Sequence, residues 1–180
     1  MILLLDVGNT RIKWASLEGD QLVHGGEVAY RDRVMASVLD QEWSGLQAPR
    51  SVVISSVTGR AGSDALTSWL AHRWDAPVHF ATAQHQQLGV KNGYRDPARL
   101  GVDRWLALLA ARARYSKPAC VVDFGSALTI DAMNDTGEQL GGLIVPGLRT
   151  MHRSLTVGDI SLDAGEVLAC SAEFTMGRDT

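Results

Sequence analysis

Asp123–Gly147 reads DFGSALTIDAMNDTGEQLGGLIVPG and repeats the plan of the chain's opening, Leu4–Lys13, LLDVGNTRIK. In each, an apolar run ends in Asp-x-Gly, small hydroxyl or amide residues follow, and a second apolar run returns. Runs of this length rich in β-branched residues predict buried strands. The Gly after each Asp permits a tight turn, so each stretch predicts a hairpin. Two such hairpins, each with an Asp and a row of backbone N–H groups at its tip, suit the holding of a nucleotide's phosphates and Mg²⁺ between two halves of a protein.

Around the first hairpin the pattern predicts strands at Met1–Val7, Arg11–Leu17 and Gln21–Ala29, a meander joined by Gly8-Asn9-Thr10 and Glu18-Gly19-Asp20. A helix over Arg31–Leu39 follows, with Val34, Val38 and Leu39 on one face, then a β-branched strand at Ser51–Val57. Ser63 or Asp64 can cap a helix carrying Leu66, Trp69, Leu70 and Trp74 at helical spacing. After a short strand at Pro77–Ala81, an irregular loop is expected through Gly93. Asp96-Pro97 then suits the start of a helix, Asp as cap and Pro in the first turn, with Trp105, Leu106, Leu109, Ala110 and Ala113 on its apolar face.

Around the second hairpin, strands are expected at Ala119–Phe124, Leu128–Met133 and Leu140–Val145. A turn at Asn134–Gly137 joins the last two, and a helix over Leu148–Leu155 follows. A short helix around Ser171–Met176 is a further expectation. The order β-β-β-α-β-α-β-α followed by β-β-β-α is a duplicated α/β pattern with mixed sheets flanked by helices. The boundary falls near Pro118, giving halves at 1–117 and 118–180.

With 180 residues, 46% of them hydrophobic, the chain can bury a sizeable core. A formal net charge of −3 does not suit a nucleic-acid footprint, which needs clustered basic residues. The apolar runs fall short of the roughly 18 residues of a membrane span, and no basic leader precedes the first strand, so a soluble cytoplasmic protein is expected. Cys120 and Cys170 read as reduced thiols, with Cys120 inside an apolar strand. The five histidines form neither HExxH nor a zinc-type cluster, and neither a G-x-S-x-G elbow nor a P-loop occurs.

LLDVGNTRIKW, LGVDRW (Leu100–Trp105) and DFGSALTIDAMNDTGEQLGGLIVPG, in this order and followed by GRDT, together resemble the type III pantothenate kinases, or Bvg accessory factor family. The resemblance spans the whole chain. It implies duplicated ribonuclease H-like (actin-like ATPase) halves, and ATP-dependent phosphorylation of pantothenate, the first step of coenzyme A synthesis. It also implies that relatives continue past GRDT, so that a longer chain is the more stable one, and that the active unit is a homodimer. In that dimer the helix after Asp103 contributes to the interface; Trp105 suits either that contact or the core.

Residue by residue, the resemblance makes Asp6 a Mg²⁺ holder and sets Asp6, Val7, Gly8, Asn9, Thr10, Arg11 and Lys13 against the nucleotide. It assigns Asp103 as general base, with Tyr94, Gly101, Asp103, Arg104 and Thr180 on pantothenate. Arg104 takes the carboxylate in this assignment, which its forked guanidinium suits. Asp123 becomes the ligand of a monovalent cation, K⁺ or NH₄⁺, and Gly125, Ser126 and Thr129 the second phosphate motif. Ser126 departs from the family's usual Thr but keeps the hydroxyl. Gly141, Gly142, Pro146 and Gly147 match a Gly-rich nucleotide-side segment, and Asp131 reads as structural.

Taken alone, Gly8-Asn9-Thr10 is equally an ordinary hairpin turn, and Asp103 a helix-capping carboxylate with Arg104 as its surface partner. Two other functional readings use the same residues: a nucleotide-binding accessory protein without useful catalysis, and a phosphotransferase acting on a different alcohol. Asp103 favours an enzyme, because a non-catalytic protein has no chemical need of it.

Overall fold

A computed structural model describes residues 1–31 and 33–156. Cys170, the helix expected around Ser171–Met176, the GRDT segment and Thr180 lie outside the described residues.

The opening meander forms as its pattern predicts: β1 (Ile2–Val7), β2 (Arg11–Glu18) and β3 (Gln21–Ala29). With β4 (Ser51–Ser56) and β5 (Val78–Phe80) they make a five-stranded sheet in the order β3-β2-β1-β4-β5. β1 runs antiparallel to β2 and parallel to β4, which places Leu3 beside Val52 and Leu5 beside Ile54. Alternate residues of a strand share a face, so Leu3, Leu5 and Val7 point together into the core, with Val52 and Ile54 alongside.

Two helices, α1 (Met35–Glu42) and α2 (Gly59–Arg73), complete that core with Leu39, Leu66 and Leu70. Four tryptophans close it. The Trp43 ring centroid lies 5.6 Å from those of Trp14 and Trp69 and 5.8 Å from that of Trp74, in edge and stacked contacts of the kind aromatic quadrupoles favour.

α1 starts four residues later than expected. Val34 is extended and 70% exposed, and the preceding chain turns through an Arg33 N–H to Tyr30 carbonyl bond. α2 starts earlier than Ser63, at Gly59, and the Thr58 hydroxyl before it is bound to that of Ser56.

The loop to Gly93 contains a small hairpin, β6 (Gln86–Gln87) and β7 (Val90–Lys91), turned through Leu88 and Gly89, both at positive φ. Asp96 caps as expected, accepting the Ala98 N–H at 3.1 Å, but only a single 3₁₀ turn, Pro97–Arg99, follows. Leu100 is extended, and the true helix, α3, runs Val102–Arg114. Its buried face is Arg104, Trp105, Leu108 and Leu109, whereas Leu106, Ala110 and Ala113 point outward. The expected stripe is thus rotated toward Arg104, and its apolar count could not show this because the face includes a charge.

α3 lies between the two sheets, touching β4 of the first and β8 and β9 of the second. That second sheet is β10-β9-β8, all antiparallel: β8 (Ala119–Phe124), β9 (Ala127–Met133) and β10 (Gln139–Pro146). Its core is small, with Val90, Leu100, Trp105, Leu108, Leu109 and Met133. Trp105 is fully buried there, which decides for the core and against an interface contact. Cys120 lies within β8 as expected, and is exposed there. The last described helix is α4 (Leu148–Thr156).

Candidate active site

Both Asp-x-Gly turns are closed by the glycine N–H, the second turn being one residue tighter than the first. The Gly8 N–H donates to the Arg11 carbonyl at 3.0 Å, and the Gly125 N–H to the Ala127 carbonyl at 2.9 Å. These two N–H groups are therefore engaged in the turns themselves. The Thr10 and Ser126 hydroxyls meet at 2.8 Å, so the tips of the two hairpins touch. The Gly147 N–H donates to the Ser126 carbonyl at 3.1 Å, and the Thr150 hydroxyl reaches the same oxygen at 3.3 Å. A Cβ on Gly147 would stand 2.2 Å from the Gly125 carbonyl oxygen, so only glycine lets α4 start against this turn.

Asp6 is the penultimate residue of β1, paired across the ladder with Lys13 on β2 and flanked by Ser55 on β4. Desolvation by the surrounding protein raises its pKa above the ordinary 3.8. Lys13 pulls it down, and the Asp103 and Asp123 carboxylates push it up again. A weaker lowering comes from the Ser55 hydroxyl, which nears Asp6 without completing a well-formed hydrogen bond. Asp103 of α3 and Asp123 of β8, distant in sequence, thus both come near enough to Asp6 of β1 to oppose its ionisation. Asp103 sits half-buried in the first turn of α3, its Oδ1 accepting the Arg104 backbone N–H at 2.8 Å. Asp123 is the penultimate residue of β8, opposite Thr129.

Excess negative charge with one lysine against it suits a divalent cation. Among the described residues no three acidic, histidine or cysteine side chains come close enough to ligate one directly. The arrangement fits Mg²⁺, which keeps several of its waters and takes one or two carboxylates together with phosphate oxygens.

Arg104 is placed otherwise than on the surface beside Asp103. It is buried, and its Nε and Nη2 donate to Asp131 Oδ2 and Oδ1, both at 2.7 Å. Gln139 Nε2 donates to Asp131 Oδ1 at 2.7 Å, and Gln139 Oε1 accepts the Gly93 N–H at 3.3 Å. The pair with Asp131 holds the Arg104 pKa above its ordinary value, with a smaller raising contribution from nearby Tyr94. A Cβ on Gly142 would stand 2.1 Å from Arg104 Nη2 and 2.3 Å from Asp131 Oδ1. Gly142 is therefore required by the buried ion pair. Beside it opens a cavity of about 440 Å³, lined by Tyr94, Arg95, Arg99, Gln139, Gly141 and Gly142 among others.

Of the nucleotide-side residues, Val7 is core, and Arg11 is paired with Glu27 on β3. Sequence reasoning missed Tyr30 and Gln139, and read Asp131 as structural without naming its partner. Tyr30 donates its hydroxyl to the Gly8 carbonyl at 2.5 Å and props the first turn, a contact without local sequence signal. Asp131 and Gln139 did carry a signal: an Asp within the apolar strand ALTIDAM demands a buried partner.

The sequence model of the type III pantothenate kinases matches residues 2–180. Among curated relatives, the type III pantothenate kinase of Nitrosococcus oceani is 40% identical over 86% of this chain and 60% of its own length. That of Nitrosospira multiformis is 42% identical over 92% and 63%, and that of Nitrosomonas eutropha 41% over 99% and 68%. The chain thus spans about three-fifths of the first two relatives. It belongs to the type III pantothenate kinase family. Among solved structures, the ethanolamine utilization protein EutJ of Carboxydothermus hydrogenoformans is similar at 12% identity and a TM-score of 0.49, over 96% of this chain and 61% of that one; a likeness this loose carries no argument.

Proposed function

We propose that the protein phosphorylates pantothenate with ATP, the first step of coenzyme A synthesis, in the cytoplasm. The observation that carries this is the convergence of Asp6, Asp103 and Asp123 from two repeated hairpins and one helix, in a chain that matches the kinase family over residues 2–180. Phosphoryl transfer asks for positioning and charge neutralisation rather than covalent catalysis. The site has groups for both.

Asp103 Oδ1 is held by the Arg104 N–H, which leaves Oδ2 to receive the proton of the pantothenate hydroxyl as its oxygen bonds to the γ-phosphorus and ADP leaves. Asp6 would hold Mg²⁺, and Asp123, beside Ser126 and Thr129, a K⁺ or NH₄⁺ ion. Bound there, the cations neutralise charge on the phosphates. Gly8, Asn9, Thr10, Gly125 and Ser126 shape the phosphate cradle, and Lys13 supplies a fixed positive charge. Tyr94, Gly101 and Arg104, with Thr180, receive pantothenate. The halves are 1–117 and 118–180, and the unit is a homodimer; apolar residues exposed on the second sheet, such as Phe124 and Ile144, support association. Among the described residues no helix is long and apolar enough to cross a membrane.

A coupled assay of ADP release tests the reading. Release that requires pantothenate and Mg²⁺ and rises with K⁺ is expected. Turnover with another alcohol and none with pantothenate would reject it.

A further inference from the structure

We infer that Asp131 and Gln139 are positioning residues that set Arg104 and Tyr94 for the carboxylate end of the acceptor, an inference that rests on the pantothenate reading above. Three side chains and the Gly93 backbone form a continuous relay of hydrogen bonds that ends beside Tyr94. Arg104 on α3 binds Asp131 on β9, Asp131 binds Gln139 on β10, and Gln139 holds the Gly93 N–H, the residue before Tyr94. Every link is polar, and Arg104, Asp131 and Gln139 are at most 6% exposed.

The orientation of the guanidinium is what makes the relay directional. Arg carries five donors, and Asp131 takes one from Nε and one from Nη2, the side-on edge of the fork. The end-on edge, Nη1 with the second Nη2 hydrogen, keeps the geometry that matches a second carboxylate. Gly142 lines the cavity beside Tyr94, and its missing side chain is the room in which Nη2 and Asp131 meet. An arginine clamped on one edge has lost its rotamer freedom before the acceptor arrives, which lowers the cost of binding. Stability is a poor reason to bury such a pair, since well-packed apolar residues of the same volume often serve as well or better.

The test uses the full-length protein, with KM for pantothenate and for ATP measured separately. Asp131→Asn removes the charge and keeps the shape. Its expected effect is a rise in pantothenate KM of up to roughly 10²-fold with ATP KM within about twofold, because misplacement of an orienting group is felt by the substrate it orients. Gln139→Leu leaves the ion pair intact and is expected to raise the same KM by a smaller factor. It decides the matter where Asp131→Asn does not fold.

In an Arg104→Gln background, Asp131→Asn should add nothing further, because a residue acting through Arg104 has no effect once Arg104 is gone. Unmoved pantothenate KM in the variants, or an equal rise in both KM values, or an undiminished Asp131→Asn effect in the Arg104→Gln background, overturns the positioning role alone. A parent enzyme without pantothenate-dependent ADP release overturns the functional reading and this inference with it.

Discussion

In the first sheet β1 is paired on both edges, by β2 and by β4, and Leu3, Leu5 and Val7 are sealed beneath α1 and α2. In the second, β8 pairs with β9 alone among the described residues, and its Val122 and Phe124 stay 44% and 66% exposed. The Asp-x-Gly turn at each tip is nonetheless closed by its Gly N–H, to the third residue on in the first and to the second residue on in the second. Local turn chemistry therefore survives without a covering layer, whereas burial does not. A hairpin can present its carboxylate from either environment; only the first has a deep core behind it.

The largest expected effect lies where the sheets meet. Asp103→Asn should lower kcat by roughly 10²–10⁴-fold, the span for losing a general base. Its melting temperature should barely move, because Asn can still accept the Arg104 N–H. A kcat within a few-fold of the parent would show that Asp103 is not the base.

Next comes the core itself. Ile54→Ala, at a fully buried position of β4, should cost about 2–5 kcal/mol in denaturant unfolding, the sum of lost burial and a residual cavity. The matched change in the second sheet, Val122→Ala, should stay within about 0.5 kcal/mol, as exposed substitutions do. Similar losses at the two sites would mean that β8 is covered, and the contrast between the sheets would disappear.

The smallest effect concerns charge at the first tip. The folded protein raises the Asp6 pKa, so its ionised form is disfavoured relative to the unfolded chain. Below the unfolded value the group is protonated in both states and costs nothing. As pH rises through the window up to the folded value, stability is lost, and the loss then stays constant. Asp6→Asn should accordingly raise the melting temperature slightly at pH 7 without Mg²⁺, with the gain vanishing below the ordinary carboxyl range. Added Mg²⁺ and nucleotide should stabilise the parent more than the variant. A gain that persists unchanged at low pH would point to packing instead of charge.

Much of the architecture was legible because it is local. Strand alternation and Gly-bearing turns placed all three strands of both meanders within a residue or two, and Leu66, Leu70 and Trp74 at helical spacing identified the buried face of α2. The misses share a cause. The 3₁₀ turn at Pro97–Arg99 obeys the expected Asp cap, but the extended Leu100 and then Gly101 break the run and restart the helix at Val102. The α3 face was misjudged because Arg104 looks like a surface residue until Asp131 is brought to it from 27 positions away.

By itself, then, the sequence determined the two hairpins, the Asp at each tip and the LGVDRW block, since these depend on neighbours in the chain and on motifs held in register. It also carried the family, through three blocks whose order could be read without coordinates. Only the tertiary structure decided that Asp103 and Asp123 come near Asp6, that Arg104 turns inward to a buried carboxylate, and that Gly142 exists to make room for that pair. Those facts depend on which strands lie beside which and on what a side chain meets across the fold, and distances between residues far apart in sequence are set by packing.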